Sequence, residues 1–203
     1  MRHREPYLHL RSLDRADVAE VAALLGRGMA DNPLHVAVYG GDEARRTRRH
    51  ESLMSVLLSG SPSMRIDGVE QGGSLIGVAA AVPPARCRPP AQTRLRLLSR
   101  ALTFGPGAAA RLLAWNRAWT SRDISEPHVH LGPVPVDRHL RGRGIGTLLM
   151  LRHTSHLDSI GVPGYAETDR PEAVGFYRRH GYAVIGETEV LGVPNWFLRR
   201  PPR

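Results

Sequence analysis

The pattern of apolar and polar positions divides the chain into strands and helices. Tyr7 to Leu13 (YLHLRSL) alternates as a first strand. Asp14 is placed to cap a helix from about Arg15 to Gly28, along which Val18, Val21, Ala22 and Leu25 recur at i, i+3, i+4, i+7 spacing. Asn32-Pro33 marks a break, so Asp31 to Tyr39 reads as a loop. A second helix spans Asp42 to Leu58, charged in its first half and apolar at Leu53, Met54, Val56 and Leu57. Met64 to Glu70 and Ser74 to Val82 read as strands joined through Gln71-Gly72-Gly73, a hairpin signal, and Leu75 to Val82 is the longest apolar run.

From Ala85 to Glu126 the chain changes character. Helices are predicted around Gln92 to Thr103 and Ala108 to Thr120, separated by Gly105-Pro106-Gly107, with Trp115 and Trp119 at i, i+4 on the second. The segment is too short for its own core and reads as a helical insertion between two strands of one sheet. Its tryptophans suit packing, and also a pocket wall. Strand His128 to Val136, helix Gly144 to about Ile160, strand Tyr165 to Thr168, helix Pro171 to His180 and strands Tyr182 to Val190 and Val193 to Leu198 complete the chain. This is an α/β (α+β) pattern.

A length of 203 residues with 41% apolar content fits one domain, 1–203, with a real core. No stretch approaches the ~18 apolar residues of a membrane span. The N-terminal MRHREPYLHL has charge but no apolar core for a signal peptide, so a soluble cytoplasmic protein without a membrane partner is expected. The net charge is +9, and all 28 of its Lys-or-Arg residues are arginine. Such a balance invites a nucleic-acid reading. Against it, the arginines are scattered, clustering only at Arg45–Arg49 and Arg94–Arg100 with no recognisable nucleic-acid module, so a nucleic-acid partner is not expected. The single cysteine, Cys87, excludes an internal disulfide and a cysteine-based zinc site; nothing near it in sequence activates the thiol, and no metal is expected.

The densest chemical signal is Leu131 to Leu149, LGPVPVDRHLRGRGIGTLL. A strand runs into the loop Arg141-Gly142-Arg143-Gly144-Ile145-Gly146, which opens directly into an apolar helix. Glycines let a ligand approach the backbone, and a helix start offers unpaired N–H groups and a positive dipole end, which together suit a phosphate. A P-loop is excluded because the chain has no lysine. A dinucleotide loop is disfavoured because the third glycine falls one place early and the loop lies two thirds of the way along the chain.

Arg141-x-x-Gly144-x-Gly146 resembles the acetyl-CoA pyrophosphate loop of the GCN5-related N-acetyltransferases (GNAT). The stretch Ala173-x-x-x-Tyr177-x-x-x-Gly181-Tyr182 is similar to a second motif of that family. The pairing of Glu167-Thr168 with Phe176-Tyr177, and the Trp-containing last strand, look most like the puromycin N-acetyltransferase group. The resemblance implies a GNAT fold, with a mostly antiparallel mixed sheet splayed between its fourth and fifth strands and the helical insertion before the fourth. It implies acetyl-CoA as donor, a small-molecule amine (antibiotic- or polyamine-like) as acceptor, and direct attack in a ternary complex of a monomer or homodimer. Val134, Pro135 and Val136 would meet the pantetheine arm, and Arg141, Gly142, Arg143, Gly144, Ile145, Gly146 and Thr147 the pyrophosphate. Arg170 and Ala173 stand where relatives carry CoA-contacting asparagines. Tyr177 would protonate the departing thiolate. Glu167 is a candidate base, although its position also suits a helix cap. His130 is a rival base, and with Asp31 a candidate for the acceptor side. A non-catalytic acyl-CoA-binding domain and a protein N-terminal acetyltransferase stay open as alternatives.

Overall fold

A computed structural model describes residues 7–203; Met1 to Pro6, the start of the stretch examined for a signal peptide, lie outside them. Seven strands form one sheet: β1 (Leu8–Leu13), β2 (Arg65–Gln71), β3 (Ser74–Val82), β4 (Val129–Leu131), β5 (Gly164–Thr168), β6 (Ala183–Val190) and β7 (Val193–Arg200). Their order is β1-β2-β3-β4-β5-β7-β6, antiparallel throughout except for the parallel β4–β5 pair. Among the described residues seven α-helices complete the fold: α1 (Val18–Met29), α2 (Pro33–Tyr39), α3 (Glu43–Ser59), α4 (Ala91–Leu102), α5 (Pro106–Thr120), α6 (Ile145–Ile160) and α7 (Pro171–Arg179). Among the described residues no helix is long and apolar enough to cross a membrane.

Both faces of the sheet are covered, which is why β3 is apolar without alternation. Leu75, Val78 and Ala80 pack with Val21, Leu24 and Leu25 of α1, while Ile76, Ala79 and Ala81 join Leu149, Met150 and Leu157 of α6 on the other face. The switch of parity follows from the pairing of β2 with β3, where Val69 faces Gly77 but Glu70 faces Leu75, leaving Ile76 as an extra residue. The three α6 side chains are fully buried, worth roughly 1.5–3 kcal/mol each. A Cβ on Gly77 would come within 2.7 Å of Ile145, so the glycine lets the start of α6 sit directly on the sheet.

Two expectations fail. The strand expected over His128 to Val136 is regular only at Val129–Leu131, because Pro133 and Pro135 follow and cannot donate to a ladder. Pro33 to Tyr39 is a helix and not a loop, because proline at the first helical position gives up an N–H that has no partner there anyway. Asn-Pro starts a helix here. The helical insertion is confirmed as α4 and α5: α4 packs on α3, and α5 lies against α2 and β6.

Candidate functional site

The site begins where β4 and β5 part. They pair over three positions, Val129 with Gly164, His130 with Tyr165 and Leu131 with Ala166, and then diverge. The β4 chain continues along β3 as an irregular extended segment, held by Ala80 N–H to Pro133 O (3.2 Å), Val78 N–H to Pro135 O (3.1 Å) and Asp137 N–H to Ile76 O (2.8 Å). Residues 133, 135 and 137 therefore turn their polar backbone toward β3, and by alternation Val134 and Val136 turn theirs toward the gap. Pro135 interrupts nothing on the gap side, since the N–H it lacks would have faced β3.

The gap opens into one cleft of about 700 Å³. On one side of the sheet it is bordered by the glycine loop. Gly142 and Gly144 have φ of +79° and +81°, and a side chain on either would meet open space, so what the glycines supply is the backbone course and room for a ligand. Gly144 caps α6 without a side-chain hydrogen bond. The first bond inside the helix runs from Leu148 N–H to Gly144 O, which leaves the N–H groups of Ile145, Gly146 and Thr147 for a ligand. Gly146 has a different reason: a Cβ there would lie 3.3 Å from the Phe176 ring, where α7 crosses.

Arg141 lines the cleft but is bound inward, to Gly28 O at 2.6 Å and to Asp31 at 3.0 Å. Asp31 also pairs with Arg170 (3.4 Å) and Arg138 (3.8 Å). Burial raises the Asp31 carboxyl, but Arg141, Arg170 and Arg138 outweigh it and bring it to about 2. Asp31 thus organises a collar of arginines on the glycine-loop side, and its carboxylate is already committed there, not held free for an acceptor amine. Arg143 is exposed and is not part of the wall, whereas Arg170 and Ala173 are.

Tyr177 stands on α7 with its ring packed on Phe176 and Tyr182, centroids 5.5 and 5.8 Å away. It borders the cleft, and its hydroxyl is not among the buried polar atoms left without a partner. Burial, then Glu167 and Asp169, raise the phenol, so it stays protonated.

Across the gap, His130 Nε2 and Glu167 Oε2 lie 2.7 Å apart, with the Glu167 side chain only 3% exposed. Burial lowers the His130 imidazole, but Glu167 and Cys87 push it further up, to about 10. Glu167 makes no helix cap; the residue that precedes α7 is Arg170, and no side chain caps the helix there. The two sequence candidates for base are one ion pair.

Beyond this pair, two histidines that the sequence did not signal join the insertion tryptophans in the wall. His35 of α2 and His50 of α3 meet Nε2 to Nε2 at 3.3 Å, and Tyr39 closes the chain onto His50 Nδ1 at 3.2 Å. His35 Nδ1 is buried with no partner among the described residues. Trp115 packs edge-on against both His35 and Trp119, each at 5.1 Å, and Trp119 donates to Asn195 at 2.9 Å. The insertion tryptophans therefore both pack and line the cleft.

Cys87 also departs from its sequence reading. His128 Nε2 lies 3.4 Å from its sulfur. Burial raises the thiol, but His128 and His130 bring it to about 7. The activating groups come from a strand more than forty residues away and leave no trace beside Cys87.

Comparison with known proteins agrees with this geometry. The acetyltransferase of Corynebacterium glutamicum described as histone acetyltransferase HPA2 and related acetyltransferase superposes with a TM-score of 0.73 at 20% identity, covering 98% of each chain. An agmatine N-acetyltransferase superposes with a TM-score of 0.66 at 17% identity, over 96% of this chain and 99% of that one. The polyamine N-acetyltransferase of Drosophila melanogaster gives 0.65 at 17% identity, over 96% of this chain and all of that one (100%). At these identities the likeness is one of fold. The sequence pattern of the acetyltransferase (GNAT) family matches residues 40–182, from the end of α2 to the tyrosine motif, and does not single out the puromycin-like group within it. With that match over most of its length, the chain belongs to the GNAT acetyltransferase family.

Proposed function

We propose that the protein transfers the acetyl group of acetyl-CoA to the primary amine of a small molecule with an apolar or aromatic body, by direct attack in a ternary complex. The observation that carries this reading is the continuity of the cleft. One cleft is lined by the start of α6, by Arg141 and Arg170 of the arginine collar, by Tyr177 and by the His130–Glu167 pair.

In this reading the CoA pyrophosphate sits on the N–H groups of Ile145, Gly146 and Thr147, and the pantetheine arm pairs with the backbone of Val134 and Val136. The amine arrives as an ammonium and loses a proton toward Glu167. It then attacks the thioester carbonyl, whose oxyanion is met by a backbone N–H of Val134 or Val136. Collapse breaks the C–S bond, and the thiolate is met by the Tyr177 hydroxyl.

The acceptor class follows from charge. Glu167 is the carboxylate at the acceptor end; Asp169 is spent on Leu34 N–H at 2.7 Å, and Glu172 on Arg170. Around it stand Met54, Leu57, Trp115, Trp119 and two histidines that burial keeps neutral. Such a wall holds one ammonium and an apolar body, and gives a second cation no partner.

The test is thiol release from acetyl-CoA over a panel of phenethylamine, tryptamine, agmatine, spermidine and an alanyl peptide. The aromatic monoamines are expected to exceed agmatine in kcat/KM by at least about tenfold, the worth of one unpaired or mispaired group. No release with any amine, despite acetyl-CoA binding, would remove the transferase reading; a preference for agmatine or spermidine would remove the acceptor class alone. In the same assay Trp115→Leu should raise the KM for the best aromatic amine about tenfold, through lost contact area, with the KM for acetyl-CoA unchanged.

A further inference from the structure

Away from the donor loop, four side chains from three separate segments converge. Cys87 follows β3, Asp123 follows α5, His128 precedes β4 and His130 lies within it. One ligand-capable atom from each falls within 4.8 Å of every other. His128 and His130 are two apart on an extended chain and so share a face, while Cys87 and Asp123 are the near ends of the insertion.

The protonation pattern of this group is informative. His128 Nδ1 lies 2.8 Å from Glu126 O, a pure acceptor, so Nδ1 carries a proton. Its Nε2 then presents a lone pair in the neutral ring, facing Cys87 Sγ at 3.4 Å and Asp123 Oδ1 at 3.0 Å. The Nε2–Oδ1 approach does not have hydrogen-bond geometry, and Oδ1 is buried without a hydrogen-bond partner among the described residues. A carboxylate oxygen and a thiol thus face one ring nitrogen, which meets the carboxylate at ion-pair distance without hydrogen-bond geometry. What such a group lacks is a cation.

We propose that Cys87, Asp123, His128 and His130 form a zinc site that clasps both ends of the helical insertion to β4. The donor set is a zinc set: one thiolate, two imidazoles and one carboxylate, the soft sulfur disfavouring calcium and magnesium. Tetrahedral zinc with Zn–S of about 2.3 Å and Zn–N of about 2.0 Å separates its ligand atoms by about 3.3–3.6 Å. The 3.4 and 3.0 Å spacings fall close to that, and the widest needs to close by about 1 Å. Outer partners that orient histidine ligands are present, the Glu126 carbonyl for His128 and the Glu167 carboxylate for His130. Binding displaces two protons to solvent, one from the Cys87 thiol and one from the metal-facing nitrogen of the His130 imidazolium, and changes no oxidation state. Its structural effect is to close the loop carrying Trp115 and Trp119, which fixes the acceptor wall.

The site is tested by metal binding, independently of turnover. Untagged protein stripped with a chelator and refilled with Zn²⁺ is expected to retain about one equivalent per chain. Cobalt substitution should give a thiolate-to-metal band in the near ultraviolet together with the intense visible bands of a tetrahedral ion. Cys87→Ser should abolish the near-ultraviolet band. Asp123→Asn, which keeps size and shape, should retain the band while weakening zinc by about 10–100-fold. His9→Ala, on the sheet's far edge strand β1, should change nothing. Uptake well below one equivalent, a cobalt spectrum without a thiolate band, or a Cys87→Ser protein indistinguishable from the parent would overturn the proposal. Circular dichroism of each variant separates loss of the site from loss of the fold.

Discussion

Tyr177→Phe is expected to lower kcat about 10²–10³-fold while leaving the affinity for acetyl-CoA within about threefold, the signature of a group that acts only in the transition state. Substitution by phenylalanine keeps the ring and its contacts with Phe176 and Tyr182, so α7 and the wall of the cleft stay in place. Only the hydroxyl is lost. A buried phenol is costly to leave without a partner, and this one is turned to the cleft that acetyl-CoA would fill. Because burial raises the phenol, it is a weaker acid than an ordinary thiol, and its help to the departing thiolate is a strong hydrogen bond as charge develops, with the proton finally supplied by the amine. Steady-state kinetics with equilibrium binding of acetyl-CoA decides the matter. Equal loss of kcat and affinity would make Tyr177 a binding residue, and no loss would remove it from the chemistry. Glu167→Gln should differ in kind. It breaks the 2.7 Å pair with His130 as well as removing the proton acceptor, so its defect should shrink at high pH, where the amine is already neutral, while that of Tyr177→Phe should not.

What the sequence disclosed and what it hid divide along physical lines. The glycine loop was legible because a left-handed backbone at Gly142 and Gly144, and an uncovered helix start, demand particular residues at neighbouring positions. The apolar run of β3 and the motif ending at Tyr182 were legible for the same reason, being local requirements on backbone or packing. Pairings between distant segments leave no such mark. His35 looked like part of a loop, and His50 lies in the arginine-rich half of α3, yet the two meet in the acceptor wall. Asp31 is an ordinary acidic residue after a helix until Arg138, Arg141 and Arg170 are seen converging on it. Cys87 pairs with partners beyond two helices. Of that cluster only the spacing His128-x-His130 was available, since alternate positions on a strand share a face, and it acquires meaning once a third donor is known to approach it.

Acidification should destabilise the fold from pH 6.5 downward. His50 and His153 are each only 4% exposed. Burial lowers His50 to about 3 from an ordinary value of 6.5. His153, placed 2.8 Å from the Tyr182 hydroxyl, is lowered to about 4, first by burial and then by Arg65. His35 is held well below its ordinary value by burial and by His50. A depressed folded-state value means that the unfolded chain takes up the proton first. The stability these rings contribute as neutral groups is complete above 6.5 and is lost as the pH falls toward their folded values. At pH 5 each of His50 and His153 forfeits about 2 kcal/mol, and the pair about 4 kcal/mol, against a typical total of about 5–15 kcal/mol. His130 works in the opposite sense, but its contribution is already largely present at pH 7 and is lost only as the pH rises through about 10. The stability that Asp31 contributes is present above the ordinary carboxylate value and is lost only as the pH falls toward about 2, below this window. Urea unfolding at intervals from pH 7.5 to 4.5 should therefore show a free energy that falls steadily below 6.5, at about 1.4 kcal/mol per pH unit for each proton taken up. His153→Gln, able to keep a hydrogen bond to Tyr182 without titrating, should remove one proton from that slope. A free energy that is flat from 7.5 to 5, or an unchanged slope in the variant, would mean that these histidines are charged or solvated in the folded protein.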